Sequence, residues 1–242
     1  MNGTPPHPAG DGTRLLRGLV GPAPARPERC GLCGLRLAPG HRHLADTTGR
    51  ALVCACTACA LLFQRPDAAQ GRYLPLPERF LTDTGADTDP DADTDRDTGA
   101  DGHSGTGPGD GAIGEAQWAA LRIPVSTAFV LRDSALGRPV LCYPSPAGAT
   151  EADLDESAWR TVFGANRLAA ALRPDVEALL LRRTPRRVHC YLVPVDLAYE
   201  LVGRMRLRWH GFDGGAEARA ELDAFFAALQ ERARPLTEAA VA

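Results

Sequence analysis

Lysine is absent from this sequence: all 27 basic residues are arginine. A P-loop lysine, a Schiff-base lysine and a lysine general base are therefore excluded. The formal net charge is −3, so no overall basic field draws the chain to nucleic acid. The missing lysine removes several classes of lysine-dependent protein before any motif is considered, and the net charge argues against nucleic acid as a partner.

Long apolar runs are also missing. No stretch approaches the roughly 18 apolar residues that a membrane-spanning helix needs. Residues 1–26 lack the apolar core of a signal peptide and are rich in proline and glycine. We therefore expect a cytoplasmic protein, in which cysteines stay reduced. In that compartment, clustered cysteines favour a bound metal over disulfides.

Cysteine is concentrated in one short region, where two Cys-x-x-Cys pairs occur. Cys30 and Cys33 form the first pair, and Cys56 and Cys59 form the second. Two intervening residues let one tight turn aim both thiolates at one ion, and a tetrahedral zinc ion needs two such pairs. The spacing predicts a structural zinc site bound by these four cysteines.

Three further residues of this region are alternate ligands. Cys54 is interpreted either as a reserve ligand or as a buried thiol packed in a hairpin. His41 and His43 are two residues apart in a predicted strand, so their side chains point to the same face. They are surface or hairpin-packing residues, or one of them is a ligand, or they belong to a second, labile metal position.

The region around the cysteines has the element order of a treble-clef zinc fold. Residues 41–46 and 50–54 are predicted to form a hairpin around a turn that ends at Gly49. Residues 56–64 are predicted to hold the second knuckle and a short helix. The N-terminus of that helix is a favourable place for thiolates, because the helix dipole favours negative charge there.

A second domain is predicted over residues 113–235, as an α+β fold with a mostly antiparallel sheet and helices packed on it. Residues 154–172 are predicted as a helix capped by Asp153 with Glu156. Residues 176–181 form an apolar run that is either helical or extended. Periodicity predicts four strands, at 124–133, 138–143, 188–195 and 198–209. It also predicts one further helix, at 216–233.

An acidic segment separates the two predicted domains. Residues 83–112 are rich in aspartate, glycine and threonine and hold no large apolar side chain. Such a chain cannot bury enough surface to offset the entropy lost on ordering, so we predict a disordered linker. Residues 1–26 are predicted as a disordered leader and 236–242 as a tail, which leaves 27–82 as the zinc module.

No catalytic residue is predicted. Cys142 and Cys190 lie inside apolar predicted strands, whereas a catalytic thiol needs a neighbouring base and partial exposure. His189 is adjacent to Cys190, but it must point to the opposite face of the strand. Both cysteines are therefore interpreted as core thiols.

A row of arginines is the predicted partner-binding surface. Arg204, Arg206 and Arg208 alternate along the predicted strand 198–209, and Trp209 lies at its end. A positive stripe of this kind can steer docking to an acidic protein surface. The alternative is a solvated face paired with neighbouring carboxylates.

Several motifs resemble those of an uncharacterised bacterial family. The resemblance covers nearly the whole chain apart from the leader and the acidic segment. The genes of that family tend to lie beside those of a high-affinity nickel-iron hydrogenase. The resemblance implies an accessory role in hydrogenase assembly or electron transfer, and it implies no catalytic residue. The matching motifs are CGLC at 30–33, HRHL at 41–44, CACTAC at 54–59 with LLF at 61–63, YPSPAG at 143–148, DVEALL at 175–180, and LVG at 201–203 continuing to residue 209.

Together these features predict a zinc-binding accessory or adaptor protein that has a protein partner. The family resemblance implies that hydrogenase subunits are that partner. One alternative is a redox protein in which the same thiolates hold iron or an iron–sulfur cluster. Another is a nucleic-acid-binding or nuclease module. It is disfavoured because the histidine and asparagine residues of such a nuclease do not occur at suitable positions after His43.

The predicted linker is open to a direct test. Trypsin should cut at Arg96, the arginine within residues 83–112, and leave two stable fragments, because no large apolar side chain anchors this segment. Mass spectrometry of a short digest identifies the site. Resistance at Arg96 under conditions that cleave residues 1–26 would mean that the segment is docked.

Overall fold

The computed structural model describes residues 27–65, 67–83, 111–211 and 214–236. The predicted leader, residues 84–110 of the predicted linker and residues 237–242 of the predicted tail lie outside these ranges. The described residues form a mixed α+β fold with two sheets, as predicted. Within them, no helix is both long and apolar enough to cross a membrane.

The smaller sheet has three antiparallel strands. They are β1 (Arg42–Asp46), β2 (Ala51–Ala55) and β3 (Tyr73–Pro75), with β1 in the middle. Helix α1 (Thr57–Leu62) follows β2, so the predicted order of knuckle, hairpin and helix is present. The buried core here is small and is formed by Leu44, Ala55 and Ala60.

The larger sheet has seven strands in the order β10-β4-β9-β8-β5-β6-β7, and only β10 and β4 are parallel. Strand β4 precedes the predicted linker, whereas the other six follow it. The sheet is therefore built from both sides of that segment. The strands are β4 (Leu81–Thr82), β5 (Thr127–Asp133), β6 (Arg138–Ser145), β7 (Gly148–Ala152), β8 (Glu177–Arg183), β9 (Val188–Pro194) and β10 (Arg234–Pro235).

Helices cover both faces of the larger sheet and create two cores. One face carries α2 (Glu115–Ala120), α3 (Glu156–Phe163) and α4 (Arg167–Ala170), and the other carries α5 (Val195–Arg208) and α6 (Gly215–Arg232). In β8, Leu179 and Leu181 serve the first core, whereas Ala178 and Leu180 serve the second. Burial on both faces explains the continuous apolar run in this strand, which the sequence left open between helix and extended chain.

The prediction of a strand over 198–209 is wrong, because these residues belong to helix α5. Its buried positions recur with helical spacing. Leu207, which a strand would have placed with Met205 on the core face, is 83% exposed. The three-residue alternation that suggested a strand was too short to outweigh the longer helical period. The buried residues of the helix are Val195, Ala198, Leu201, Val202 and Met205.

The predicted helix over 154–172 is two short helices, α3 and α4. The cap of α3 is Asp155 and not Asp153, because Asp155 Oδ1 accepts a hydrogen bond from Ala158 N at 2.7 Å. Helix α3 ends at its C-cap, Gly164. A new helix then begins, because Asn166 Oδ1 caps α4 by accepting a hydrogen bond from Ala169 N at 2.9 Å. Two successive caps therefore replace one continuous helix.

The smaller sheet and the segment that connects β3 to β4 contact the larger sheet through apolar and charged side chains. Leu52, Leu76 and Phe80 contact the core beneath α5. Arg79 forms a two-pronged ion pair with the fully buried Glu177, with Nε–Oε1 at 2.5 Å and Nη2–Oε2 at 2.8 Å. A buried carboxylate is tolerated only when it is paired and hydrogen-bonded, so this contact ties residue 79 firmly to β8.

Replacement of Arg79 by methionine should lower the free energy of unfolding by about 3–5 kcal/mol, because Glu177 would stay buried without its partner. The double variant Arg79→Met/Glu177→Leu should recover much of that loss. Urea denaturation followed by circular dichroism measures both.

The matched control is Arg65→Met. Arg65 and Asp67 form an ion pair whose side chains are 83% and 73% exposed, and exposed pairs contribute about 0–1 kcal/mol. Equal denaturation midpoints for Arg79→Met and the unmodified protein would contradict the importance assigned to the buried pair.

Candidate metal centre

Two turns bring the four predicted cysteine ligands together. Cys30 and Cys33 lie in a knuckle that Gly34 closes with a φ of 75°, and Gly34 N donates to Cys30 O at 2.8 Å. Cys56 and Cys59 lie at the start of α1. The knuckle is tied to the hairpin because Gly31 N donates to the carbonyl oxygen of residue 54 at 2.8 Å.

The sulfur atoms have the separation that a tetrahedral ion requires. The four Sγ atoms of Cys30, Cys33, Cys56 and Cys59 all lie within 4.8 Å of one another. Cys33 Sγ and Cys56 Sγ are 3.8 Å apart. Four thiolates about 2.3 Å from a zinc ion would be spaced by about 3.8 Å. The residues therefore fit a four-coordinate metal ion, although their arrangement does not identify which metal.

Two thiols of the four-cysteine cluster have pKa values shifted in opposite directions. Burial alone would raise the pKa of Cys30, but backbone N–H groups of Cys56, Cys33 and Leu32 outweigh it and lower that pKa to about 6. Hydrogen bonds with the side chains of Cys56 and Cys33 raise the pKa of Cys59 to about 12. One thiolate can form readily here, whereas ionisation of all four thiols needs a cation to offset their mutual repulsion.

A second group of metal-binding side chains lies on the hairpin and shares no residue with the first. One ring nitrogen from each of His41 and His43 and the sulfur of Cys54 lie within 4.8 Å of one another. His43 and Cys54 are directly opposite each other on β1 and β2. The structure thus places Cys54 with the two histidines and not among the four clustered cysteines.

Both imidazole rings of the second group are held by hydrogen bonds at Nδ1. His43 Nδ1 donates to Asp196 Oδ2 at 2.8 Å, and this bond raises the pKa of His43 despite partial burial. His41 Nδ1 donates to the carbonyl oxygen of Ala38 at 3.1 Å. The ring centroids of the two histidines are 4.9 Å apart in an edge-to-face arrangement.

Asp196, the residue that orients His43, was not predicted from the sequence. The two residues are 153 positions apart, and strand alternation around His43 carries no information about a contact of that length. The available signal was an acidic residue in the first turn of α5. This signal was not recognised, because the region was predicted as a strand that begins at residue 198 and not as a helix that begins at Val195.

Cys142 and Cys190 are core thiols, as predicted. Their exposed fractions are 2% and 0%, and they face the two opposite cores of the larger sheet. Burial raises the pKa of Cys142 to about 12 and that of Cys190 well above its usual range. Neither thiol has the exposure or the ionisation that nucleophilic chemistry needs.

The predicted arginine face does not form as a single stripe. Positions two apart on a helix are rotated by about 200°, so Arg206 points away from Arg204 and Arg208. Arg204 is also paired with Glu200, with Nη2–Oε1 at 2.6 Å, and with Glu221, with Nη1–Oε1 at 3.5 Å. The surface at the end of α5 therefore differs from the one that the sequence suggested.

Comparison with known proteins identifies a family but no characterised relative. No curated protein and no solved structure matches the chain. One family model matches residues 29–96 and 107–233, and these segments include both groups of metal-binding side chains and Asp196. The description of that model names neither a metal nor a hydrogenase. The chain belongs to this family, DUF5947, a family of unknown function.

Proposed function

We propose that the chain is a zinc-binding accessory protein that acts by recognising a protein partner. The observation that carries this proposal is the convergence of two cysteine knuckles at tetrahedral spacing, with Cys33 Sγ and Cys56 Sγ 3.8 Å apart. A tetrahedral set of four sulfurs suits zinc or iron. Four protein ligands also leave no open position for a substrate, which favours a structural role for this ion.

The size of the module supports a structural ion. The fully buried core of the smaller sheet consists of Leu44, Ala55 and Ala60, and the partly buried side chains packed against it are Leu32, Phe63 and Tyr73. A core of that size cannot offset the entropy of ordering the chain around it. In small zinc modules the metal supplies that free energy, at about 10–16 kcal/mol in finger peptides. Reduced thiols of this kind are kept in the cytoplasm, which is the compartment we propose.

The proposed partner surface lies at the C-terminal end of α5. Leu207 is 83% exposed there, and its sequence neighbours Arg206 and Arg208, which leave the helix in different directions, are exposed as well. Within the described ranges neither arginine forms an ion pair, whereas Arg204 does. Together with Trp209 these residues combine an apolar centre with positive charge, a composition suited to an acidic protein surface.

A hydrogenase subunit is the partner that we propose. This choice of partner rests on the resemblance of the sequence motifs to a family encoded beside nickel-iron hydrogenase genes. The role would be in assembly of the complex or in electron transfer. Electron transfer is the part of the proposal that requires iron, in place of zinc, at the four cysteines.

Purified protein should contain one tightly held zinc ion per chain, and Cys56→Ser should lose it, because three thiolates and a hydroxyl bind zinc far more weakly than four thiolates. Elemental analysis after dialysis against a weak chelator measures the content. Cys142→Ala is the matched control, since it removes a thiol outside the cluster. Full zinc content in Cys56→Ser would show that the ligand set is wrong.

The absorption spectrum of the same preparation separates zinc from iron. Zinc thiolates are colourless, whereas iron thiolates and iron–sulfur clusters absorb visible light. Expression in the native host avoids incorrect metal loading. Stoichiometric iron with visible bands would replace the structural role by the redox alternative.

The double variant Arg206→Gln/Arg208→Gln should lose co-purification with a hydrogenase subunit but keep its melting temperature within about 2 °C, since exposed charges contribute little to stability. Affinity purification from the native host with identification by mass spectrometry is the measurement. Arg204→Gln is the matched control, because its charge is already paired. An unchanged yield of the subunit with the double variant would place the interface elsewhere.

A further inference from the structure

We propose that His41, His43 and Cys54 form a second metal site, which binds a divalent transition-metal ion reversibly and leaves one coordination position open to a ligand from solution. The site is independent of the four-cysteine centre, since the two sets share no residue. It is also independent of the accessory role proposed above.

The hairpin itself creates the convergence. His41 and His43 are two residues apart, so both side chains leave the same side of the chain. Cys54 is the cross-strand neighbour of His43 in the β1–β2 pair, and directly opposite residues share a face of the sheet. The three potential ligand atoms consequently lie within 4.8 Å of one another.

The hydrogen bonds at Nδ1 leave Nε2 of each ring available to a metal ion. In both histidines Nδ1 donates a proton, to the Ala38 carbonyl oxygen in one case and to the Asp196 carboxylate in the other. A neutral imidazole that donates at Nδ1 carries its lone pair on Nε2. Both rings are thus held in the tautomer that binds a metal through Nε2.

One of these nitrogens has no other use in the structure. His41 Nε2 is buried, and it has no hydrogen-bond partner among the residues that the structure describes. The His41 side chain is 9% exposed. An unsatisfied buried polar atom is rare in native proteins and requires an explanation. A metal ion at this position supplies the missing partner.

Asp196 completes the arrangement. Metal-binding histidines commonly donate their second ring N–H to a carboxylate, which fixes the ring and makes it a better ligand. Asp196 Oδ2 lies 2.8 Å from His43 Nδ1 and belongs to α5, outside the hairpin. We assign it as a positioning residue and not as a ligand.

The chemistry of the three ligands selects the class of ion. Two imidazoles and one thiolate suit zinc, copper and cobalt, and they do not suit magnesium or calcium. Three protein ligands leave a fourth position for water or a small anion, as in catalytic zinc sites. A cavity of about 480 Å³ adjoins the site and is lined by His41, His43, Asp196 and Glu200. In the proposed site, a ligand from solution would approach from this cavity, on the side of the two histidines.

The test titrates the full-length protein, with zinc already held at its four-cysteine centre, with Co²⁺ at pH 8. We expect one Co²⁺ per chain to bind with visible bands of tetrahedral coordination and a charge-transfer band from a single thiolate. Zinc content should stay constant during the titration. Addition of azide should shift the visible bands, because the anion occupies the open position. An unshifted spectrum at saturating azide would overturn the open position.

Variants identify the ligands. His41→Gln and Cys54→Ser should each raise the dissociation constant for Co²⁺ by more than about 100-fold, and Cys54→Ser should abolish the charge-transfer band. Asp196→Asn should raise it by about 10–100-fold and leave that band in place, as expected for a residue that orients a ligand. His210→Gln is the matched control, since this histidine is exposed and lies outside the site.

Two results would overturn the proposal. One is the absence of Co²⁺ binding beyond the resident zinc in the unmodified protein. The other is an affinity that neither His41→Gln nor Cys54→Ser changes. If either hairpin variant also loses the resident zinc, Asp196→Asn decides, because Asp196 lies outside the zinc module. An Asp196→Asn protein with unchanged Co²⁺ affinity would then refute the site.

Discussion

The β1–β2 hairpin needs a partner on each of its faces, and the arrangement of the chain around it follows from that requirement. An isolated two-stranded hairpin is at best marginally stable in water. One face places Leu44 in the small core beside the cysteine knuckles. The other face directs Leu52 to the core beneath α5 and His43 to Asp196. The cysteines and the larger sheet therefore stabilise the same hairpin from opposite sides.

The features that could be predicted from the sequence are those that local spacing controls. The two-residue gaps of Cys30–Cys33 and Cys56–Cys59 anticipated the cluster, because a knuckle is a single turn whose geometry depends on four residues. The final helix was also anticipated, since Leu222, Phe225, Phe226 and Leu229 are all buried on it. In both cases the information lies within a few turns of chain.

The features that could not be predicted depend on contacts between distant segments. The strand expected over 198–209 is a separate case, because the helical spacing of Leu201, Val202 and Met205 was present in the sequence and a short alternation was preferred to it. The ion pair of Arg79 with Glu177 spans 98 residues, and the hydrogen bond of His43 with Asp196 spans 153. No local sequence pattern indicates which residues so far apart in the chain will be in contact. The treble-clef order was therefore foreseeable, but its attachment to the larger sheet was not.

The two groups of metal-binding side chains differ in what an ion would do to the fold. The four cysteines all belong to the module that contains the hairpin, so an ion held by them would stabilise the fold of that module. His43 is oriented by Asp196 from α5, so an ion at the hairpin site would favour the state in which the hairpin is docked on that helix. A ligand that binds one state preferentially stabilises that state by mass action. Occupancy of the second site would consequently be coupled directly to docking, whereas occupancy of the first would act on docking through the folding of the hairpin.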